Sequence, residues 1–422
     1  MNDLVYWIWL SLCCTPDTST FAKLIYSFTG PKDIFEADEK EISRCVGFKN
    51  SDRSSLLKKD LERAKSIYDF CTKHNVGILT YSDERYPASL RDIKCPPVLL
   101  YYRGVLPDFD KGFFVAAVGT RSLTEYGRRN SFKICYDLAM AGANVVSGMA
   151  IGIDGVSLAG AIAGGGVTVA VIGSGIDVCY PMQHKTLARE IVKRGCVLTE
   201  YPPGTPPGKL NFPKRNRIIS GLCAATVVFE GRERSGALIT ARYAKEQGRA
   251  LYALPAGVDS KHGEVSNLLI KNGAKICTRA DDIVNDFADV YKGTINPFAL
   301  PKTMNVNMME TLRSLQVSAL CQGDDVFTPP RQIKSQKQEK ALDFKDSLEL
   351  PSEPPKNVEV PTNFDKAALK IYKKIPLDGQ CSIESLVDEE NDLRGVMRAL
   401  LKLEINKLVV LHPGEIVSRK SK

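Results

Sequence analysis

Short apolar runs alternate with amphipathic stretches through the centre of the chain. Runs of three to six mostly apolar residues occupy positions 114–118, 144–147, 167–172, 197–200, 226–230, 250–253 and 275–277. Most of the intervening segments carry apolar residues at helical spacing. Apolar strands that alternate with helices are typical of a parallel sheet with helices on both faces. The pattern therefore predicts an α/β fold, a Rossmann-like doubly wound parallel sheet.

The pattern differs on the N-terminal side of this sheet. Residues 1–75 have helical periodicity, broken at 29–32 and at Gly47, which predicts a small helical domain of the SAM or helix-hairpin-helix kind. Modules of this kind contact the DNA backbone or only pack, and both readings stay open. The Rossmann-like domain is predicted to span 76–287 and to begin with two further strands, at 76–80 and 98–102.

The C-terminal third changes character twice. Residues 288–362 are predicted to form a linker, because Pro, Lys, Gln, Asp and Glu crowd between 324 and 361. Residues 363–422 become periodic again and predict a winged helix, with DNA and protein contact equally open. Its predicted elements are helices at 367–374, 383–388 and 393–403 and strands at 408–411 and 416–417.

Composition narrows the function classes only a little. The 422 residues carry a formal charge of +8, which permits a polyanionic partner but is common in proteins that have none. The 12 cysteines form no C-x-x-C pair and there are four histidines, so no zinc-ligand spacing exists. We expect a reducing, cytoplasmic location, no membrane association and no cofactor.

In open parallel sheets, ligands bind beyond the carboxyl ends of the strands. The loops after the first three central strands combine glycines, hydroxyls and helix N-termini, which suits them to anions. Arg121 adds a forked donor for phosphate, with pairing to a nearby carboxylate as the alternative. The candidate binding residues in these loops are Gly119, Thr120, Arg121, Ser122, Ser147, Gly148, Gly173, Ser174 and Gly175.

The third of these loops resembles part of a dinucleotide fingerprint. Gly173-Ser174-Gly175 is followed at 178 by valine, so the complete G-x-G-x-x-G is missing and a standard NAD site is not expected. In the second loop, Asp154 is expected to cap the following helix or to accept a hydrogen bond from a ligand hydroxyl.

A basic turn at 212–217, Phe-Pro-Lys-Arg-Asn-Arg, is the most distinctive segment. Its cations begin a helix, where the macrodipole favours anions, so we expect Lys214, Arg215 and Arg217, together with Asn216, to face an external anion. A solvated basic turn is the alternative. Further along, Ser235 and Gly236 predict another loop of free N–H groups at a helix start.

This many phosphate-compatible loops exceed what one mononucleotide needs, which favours a nucleic acid strand. A nucleophile elbow, a Walker A loop and a metalloprotease motif are all missing from the sequence. A general base would have to be one of four carboxylates without an obvious partner: Asp154, Asp177, Glu200 and Glu230. The sequence therefore predicts a binding protein that is not an enzyme.

The ordered motifs GTRS, SGMAIGID, GSGIDVCYP, TEYPPG, FPKRNRIISGL, SGALITA and LIKNGA resemble the DprA (Smf) family, over about residues 80–285. The resemblance implies a protein that binds and protects single-stranded DNA during natural transformation and recombination. It also implies loading of the RecA recombinase and a homodimer formed through the Rossmann-like domain. Residue by residue, it assigns DNA binding to Arg121 and to the FPKRNR turn.

The sequence departs from the family pattern at several positions. Leu158 stands where the family usually has histidine, and His184 where it has asparagine. Met182 replaces a lysine that often follows the Tyr-Pro pair, and Lys185 is expected to substitute for it in DNA binding. Ala256 replaces the glycine of a Pro-Gly pair. These changes bear on the path of the DNA rather than on the fold.

Two alternatives to a DNA-binding protein remain. The fold is related to that of LOG-type nucleoside-monophosphate phosphoribohydrolases, although their P-G-G-x-G-T-x-x-E loop is absent and Glu230-Gly231-Arg232 occupies the corresponding region. A scaffold that senses a small nucleotide is the other alternative.

Overall fold

The structure, a computed structural model, describes residues 2–44, 49–232, 235–300, 303–318, 371–372, 374–376, 380–386, 396, 399–400, 403, 409–412 and 416–419. The chain divides into two compact units, Met1–Phe327 and Thr328–Lys422.

Helices form the start of the first unit. They are α1 (Asp3–Cys13), α2 (Thr20–Ser27), α3 (Pro31–Glu36), α4 (Glu39–Arg44), α5 (Asn50–Leu57) and α6 (Glu62–Lys73). The side chain of Asn2 caps α1 by accepting from the Leu4 amide, and Ile8, Trp9 and Leu10 bury its apolar face. The helical periodicity predicted for residues 1–75 is confirmed, whereas the boundary at 75 stays a prediction.

A nine-stranded sheet forms the centre of the unit, in the order β1-β2-β6-β5-β4-β3-β7-β8-β9. The strands are β1 (Gly77–Thr80), β2 (Leu99–Gly104), β3 (Phe114–Val118), β4 (Asn144–Ser147), β5 (Thr168–Val171), β6 (Cys196–Thr199), β7 (Ala225–Val228), β8 (Ala250–Ala253) and β9 (Lys275–Ile276). Strands β3 to β9 are parallel to one another. Strand β2 pairs antiparallel with β6, and β1 pairs antiparallel with β2. Every predicted strand is present within two residues of its expected bounds.

Helices cover the sheet, as expected for strands that are apolar on both faces. The helices are α7 (Ala88–Arg91), α8 (Glu125–Met140), α9 (Ile153–Ala163), α10 (Lys185–Arg194), α11 (Asn211–Gly221), α12 (Gly236–Glu246), α13 (Glu264–Lys271), α14 (Asp281–Phe287) and α15 (Met308–Ser314). All residues of β3, β5, β6 and β7 are buried. The predicted α/β, Rossmann-like fold is confirmed.

The second unit contains a three-stranded antiparallel sheet in the order β10-β12-β11. Its strands are β10 (Gln380–Ser382), β11 (Val409–His412) and β12 (Ile416–Arg419). The two predicted C-terminal strands are present, β10 was not predicted, and a short 3₁₀ helix at Glu384–Leu386 lies inside the second predicted helix. Much of the other two predicted helices lies outside the described residues, so the winged helix and the boundaries at 287 and 362 stay predictions. Helix α15 lies within the predicted linker 288–362, and Leu312 and Leu315 are buried in the core of the first unit.

Candidate functional site

The sheet reverses its strand order beside β3. The chain proceeds from β3 through β4 and β5 to β6 in one direction, and then returns to β7 on the other side of β3. Such a reversal opens a crevice at the carboxyl ends of the parallel strands, which is where open α/β sheets bind ligands. The loops predicted to bind a ligand all lie at this edge.

Arg121 lies in the loop after β3 and is exposed. Its guanidinium stacks over the ring of Phe212, 5.3 Å from the ring centroid. Within the ranges that the structure describes, no ion pair involves Arg121, so the carboxylate pairing considered as its alternative is not observed. A basic, exposed guanidinium is therefore presented at the crevice.

The rest of the β3 loop is fixed by local packing. Thr120 and Ser122 hydrogen-bond to each other, with the Thr120 hydroxyl 3.2 Å from both the Ser122 carbonyl and the Ser122 amide. Gly119 has no room for a side chain, because a Cβ there would lie 2.6 Å from Ile153. The loop thus packs against the start of α9 and holds Arg121 at its tip.

The N-terminus of α8 is occupied by a carboxylate of the chain itself. Glu230, after β7, accepts a hydrogen bond from the Thr124 amide at 2.9 Å and another from the Thr124 hydroxyl at 2.5 Å. A Cβ on Gly127 would lie 2.3 Å from the same carboxylate. The Thr124 hydroxyl in turn accepts from the Gly127 amide at 3.1 Å, so the N-cap threonine and a carboxylate of the chain itself lie at the end of α8 where an external anion was expected.

The loop after β4 also points inward. The Ser147 hydroxyl is buried and donates to the Ala117 carbonyl at 2.6 Å. The side-chain position of Gly148 is taken by Arg215, whose Nη2 would lie 2.0 Å from a Cβ there. The Gly152 amide donates to the Ser318 carbonyl at 3.1 Å. Gly148 therefore makes room for the Arg215 side chain, and the Gly152 amide binds another segment of the chain itself.

The loop after β5 is closed in a similar way. Gly173, Ser174 and Gly175 are buried, and the Ser174 hydroxyl donates to the Val178 carbonyl at 2.9 Å. Asp177 accepts from the Gly204 amide at 2.8 Å. These residues shape the floor of the crevice rather than its exposed surface.

The cations of the basic turn differ in exposure. Lys214 is half-buried, while the side chains of Arg215 and Arg217 are only 4% and 3% exposed. Arg215 donates to the Gly148 carbonyl at 2.8 Å and also to the Val171 carbonyl. Burial lowers the pKa of Arg215 to about 10. The outward orientation expected for this arginine is therefore wrong, because backbone carbonyls bind it.

Arg217 forms a buried ion pair. Its Nη2 lies 2.6 Å from a carboxylate oxygen of Glu200, and its Nε lies 3.7 Å from Asp17 in the turn between α1 and α2. Burial raises the pKa of Glu200, and the charge of Arg217 partly offsets that rise. Arg217 thus connects α11 to the N-terminal helices, and its expected outward orientation is wrong as well.

The remaining candidates divide by exposure. Asn216 is buried, accepting from Arg215 Nε at 3.1 Å and donating to the Gly236 carbonyl at 3.4 Å. Ser235 is half-buried, and Gly236 at the start of α12 is exposed. Lys185 is exposed. DNA binding by the predicted residues, including the buried ones, stays a prediction.

An aromatic pair at the crevice was not among the predicted site residues. The rings of Tyr180 and Phe212 lie 5.5 Å apart, and the Tyr180 side chain is 41% exposed. Phe212 also contacts the guanidinium of Arg215, 5.8 Å from its centroid. The signal available in the sequence was an aromatic residue that directly begins a basic helix, since such interleaving suits stacked bases next to phosphates.

The four carboxylates considered as general bases all have internal partners. Glu230 binds Thr124, Glu200 binds Arg217, and Asp177 binds the Gly204 amide. Asp154 lies 3.9 Å from Arg215 Nη2, and burial raises its pKa.

In the described part of the chain, no group of three His, Cys, Asp or Glu residues could hold a metal ion. Over the same part, no helix is both long and apolar enough to cross a membrane.

Comparisons with known proteins identify relatives of this chain. DNA processing protein DprA of Bacillus subtilis is 37% identical over 250 residues, which are 58% of this chain and 84% of that protein. DprA of Streptococcus pneumoniae is 42% identical over 205 residues, 49% of this chain and 72% of that protein. The X-ray structure of DprA from Streptococcus pneumoniae covers 68% of this chain and 98% of its own, with 32% identity and a TM-score of 0.59. Residues 77–288 match the family described as DNA recombination-mediator protein A, and the chain belongs to that family.

Proposed function

We propose that this chain binds single-stranded DNA along the crevice at the carboxyl edge of its sheet, and that it acts in DNA recombination. The observation that carries the proposal is the cluster of Arg121, Phe212 and Tyr180. An exposed guanidinium stacks on one ring at 5.3 Å, and a second, partly exposed ring lies 5.5 Å from the first. A cation beside aromatic faces suits a strand whose phosphates and unpaired bases are both accessible.

In the conformation described, exposed side chains rather than helix ends are available for phosphate contacts. At the N-terminus of α8 the Glu230 carboxylate binds the N-cap residue Thr124, and the Gly152 amide before α9 donates to Ser318. Arg121, Lys185, Lys209 and Lys214 are exposed or half-buried, and across the described ranges none of them forms an ion pair. Their charges supply the electrostatic attraction that dominates affinity for a DNA strand.

Three finer roles belong to the same proposal. The family described as a recombination mediator favours loading of the RecA recombinase onto the bound strand, including during natural transformation. A homodimer would double the DNA-binding surface. We also propose that the chain has no catalytic activity, since the carboxylates at the crevice engage internal donors.

Fluorescence anisotropy with labelled oligo-dT across a salt series tests the core of the proposal. Arg121→Glu combined with Lys214→Glu should weaken binding by roughly 10- to 100-fold and make the slope of log K against log[salt] shallower by about one to two. Lys245→Glu is the matched control, because it is an exposed cation at the C-terminal end of α12, at the opposite edge of the sheet. Equal affinity of the wild type and the double variant would refute the proposal.

Separate measurements test dimer formation, RecA loading and the absence of catalytic activity. Light scattering of the purified chain should give twice the monomer mass. RecA-dependent ATP hydrolysis on single-stranded DNA should rise when the chain is added. Release of adenine from AMP would support the phosphoribohydrolase alternative instead, and displacement of oligo-dT by micromolar mononucleotide would support the nucleotide-sensing scaffold.

A further inference from the structure

A short segment near the end of the first unit lies on the loop that follows β4. This segment, Gln316, Val317 and Ser318, follows α15 and is called the strap here. Its Ser318 carbonyl accepts from the Gly152 amide at 3.1 Å. The Gln316 side chain accepts from the Thr186 hydroxyl at 2.6 Å. The strap is thus fastened both to the loop before α9 and to the start of α10.

His184 fastens the strap from the other side. The Ser318 amide donates to Nε2 of the ring at 3.0 Å, and Nδ1 lies 3.0 Å from the Met149 carbonyl. An amide can only donate and a carbonyl can only accept, so the ring is neutral and carries its proton on Nδ1. One buried imidazole therefore connects the strap to Met149, whose backbone φ of 56° lies in the left-handed region.

Apolar packing completes the contact. Val317 lies so close to α9 that a Cβ on Gly155 would be 3.1 Å from its Cγ1. Leu312 and Leu315, just before the strap, are buried in the same core as Val156 of α9. The strap is consequently a docked element of the first unit.

The position of the strap relates it to the proposed DNA-binding site. A Cβ on Gly152 would lie 2.5 Å from the Thr120 carbonyl oxygen and 2.8 Å from the Arg121 Cα. The Ser318 carbonyl of the strap thus accepts from an N–H group that lies next to the backbone of the loop presenting Arg121.

We propose that the strap is an intramolecular competitor of single-stranded DNA. It holds the Gly152 amide while no DNA is bound, and a DNA phosphate replaces the Ser318 carbonyl on that amide. Binding and undocking of the strap are then coupled, and each favours the other by the same factor. This inference rests on the proposed function, because it assigns a regulator to the same site.

Undocking the strap by substitution tests the inference. Val317→Gly with Ser318→Pro removes the apolar contact and the amide donor to His184, and neither residue belongs to the proposed DNA-contacting set. In the full chain this double variant should bind oligo-dT on the order of tenfold more tightly than the wild type. Thr303→Gly with Asn305→Pro is the matched control, since both are exposed positions before α15, and it should leave the affinity unchanged.

Hydrogen exchange of the wild type separates this inference from the proposed function. Oligo-dT should raise amide exchange in residues 312–318 while lowering it in residues 119–122. If oligo-dT binds but exchange of residues 312–318 stays constant or falls, and the undocked variant has wild-type affinity, the strap inference is overturned and the proposed function stands. If neither the wild type nor the undocked variant binds oligo-dT, both are overturned. Binding by the undocked variant alone would support the strap as a competitor.

Discussion

Nη1 of Arg215 lies 2.8 Å from the carbonyl oxygen of Gly148, so helix α11 is fastened to the loop that follows β4. The same guanidinium also reaches the end of β5 through the Val171 carbonyl. A residue of the basic turn at 212–217 therefore joins the loop after β4 to the end of β5.

Gly148→Ala should destabilise the fold. The added methyl group would lie 2.0 Å from Arg215 Nη2, so the buried guanidinium would have to move away from its carbonyl partners. We expect the free energy of unfolding, measured by urea denaturation, to fall by roughly 1–3 kcal/mol. Gly236→Ala is the control, because a Cβ there meets nothing within 4 Å, and its effect should stay below about 0.5 kcal/mol. Similar stability of the two variants would contradict the packing described for Gly148.

Arg217→Ala should be more destabilising than a comparable surface substitution. It leaves the buried carboxylate of Glu200 without its partner at 2.6 Å, and removing one member of a buried pair costs about 3–5 kcal/mol. Urea denaturation should show that Arg217→Met combined with Glu200→Gln recovers part of this loss. Arg242→Ala, in an exposed pair with Glu246, serves as the reference and should cost less than about 1 kcal/mol. A loss no larger than in the reference would argue against a buried pair.

Tyr180→Ala should weaken binding of oligo-dT by about 1–3 kcal/mol, the range of one stacked base. Tyr180→Phe keeps the ring beside Phe212 and should bind like the wild type. Anisotropy with an oligonucleotide that has abasic sites provides the decisive comparison, since the penalty of Tyr180→Ala should disappear when no base is present to stack. A penalty of the same size on the abasic strand would assign Tyr180 to the phosphates instead.

Lowering the pH should destabilise the docked strap, because His184 becomes protonated. Burial lowers the pKa of His184 below 6.5, and the Met149 carbonyl partly offsets this. The folded state thus binds fewer protons than the unfolded state, and stability is lost as pH falls below about 6.5. The charged residues on the surrounding elements, Asp154, Lys185 and Arg313, are not among the causes of the shift.

Thermal unfolding between pH 7.5 and pH 5 measures this effect. The wild type should lose more stability over that range than His184→Gln, in which no imidazole can titrate. Hydrogen exchange of residues 312–318, corrected for the intrinsic pH dependence, should rise in the wild type over the same range. Identical pH profiles for the two proteins would exclude His184 as the titrating group.

The sequence by itself determined the architecture of the first unit. Apolar runs that alternate with helical segments are sufficient to predict a parallel sheet, because both faces of such strands must be buried. Every central strand is found within two residues of its predicted position. The spacing of the motifs also identified the family, and the Arg121 loop was located at the edge where ligands bind.

Only the tertiary structure decided which of the predicted groups are accessible. The helix ends at α8 and before α9 are chemically suited to anions, yet residues distant in sequence lie at both. Glu230 binds the N-cap of α8, and Ser318 accepts from the amide before α9. Arg215 and Arg217 have the residue type of phosphate ligands, yet carbonyl oxygens and Glu200 bind them in the interior. A local pattern specifies the donors of a segment, whereas their partners are set by long-range packing. That packing left Arg121, stacked on Phe212, facing outward.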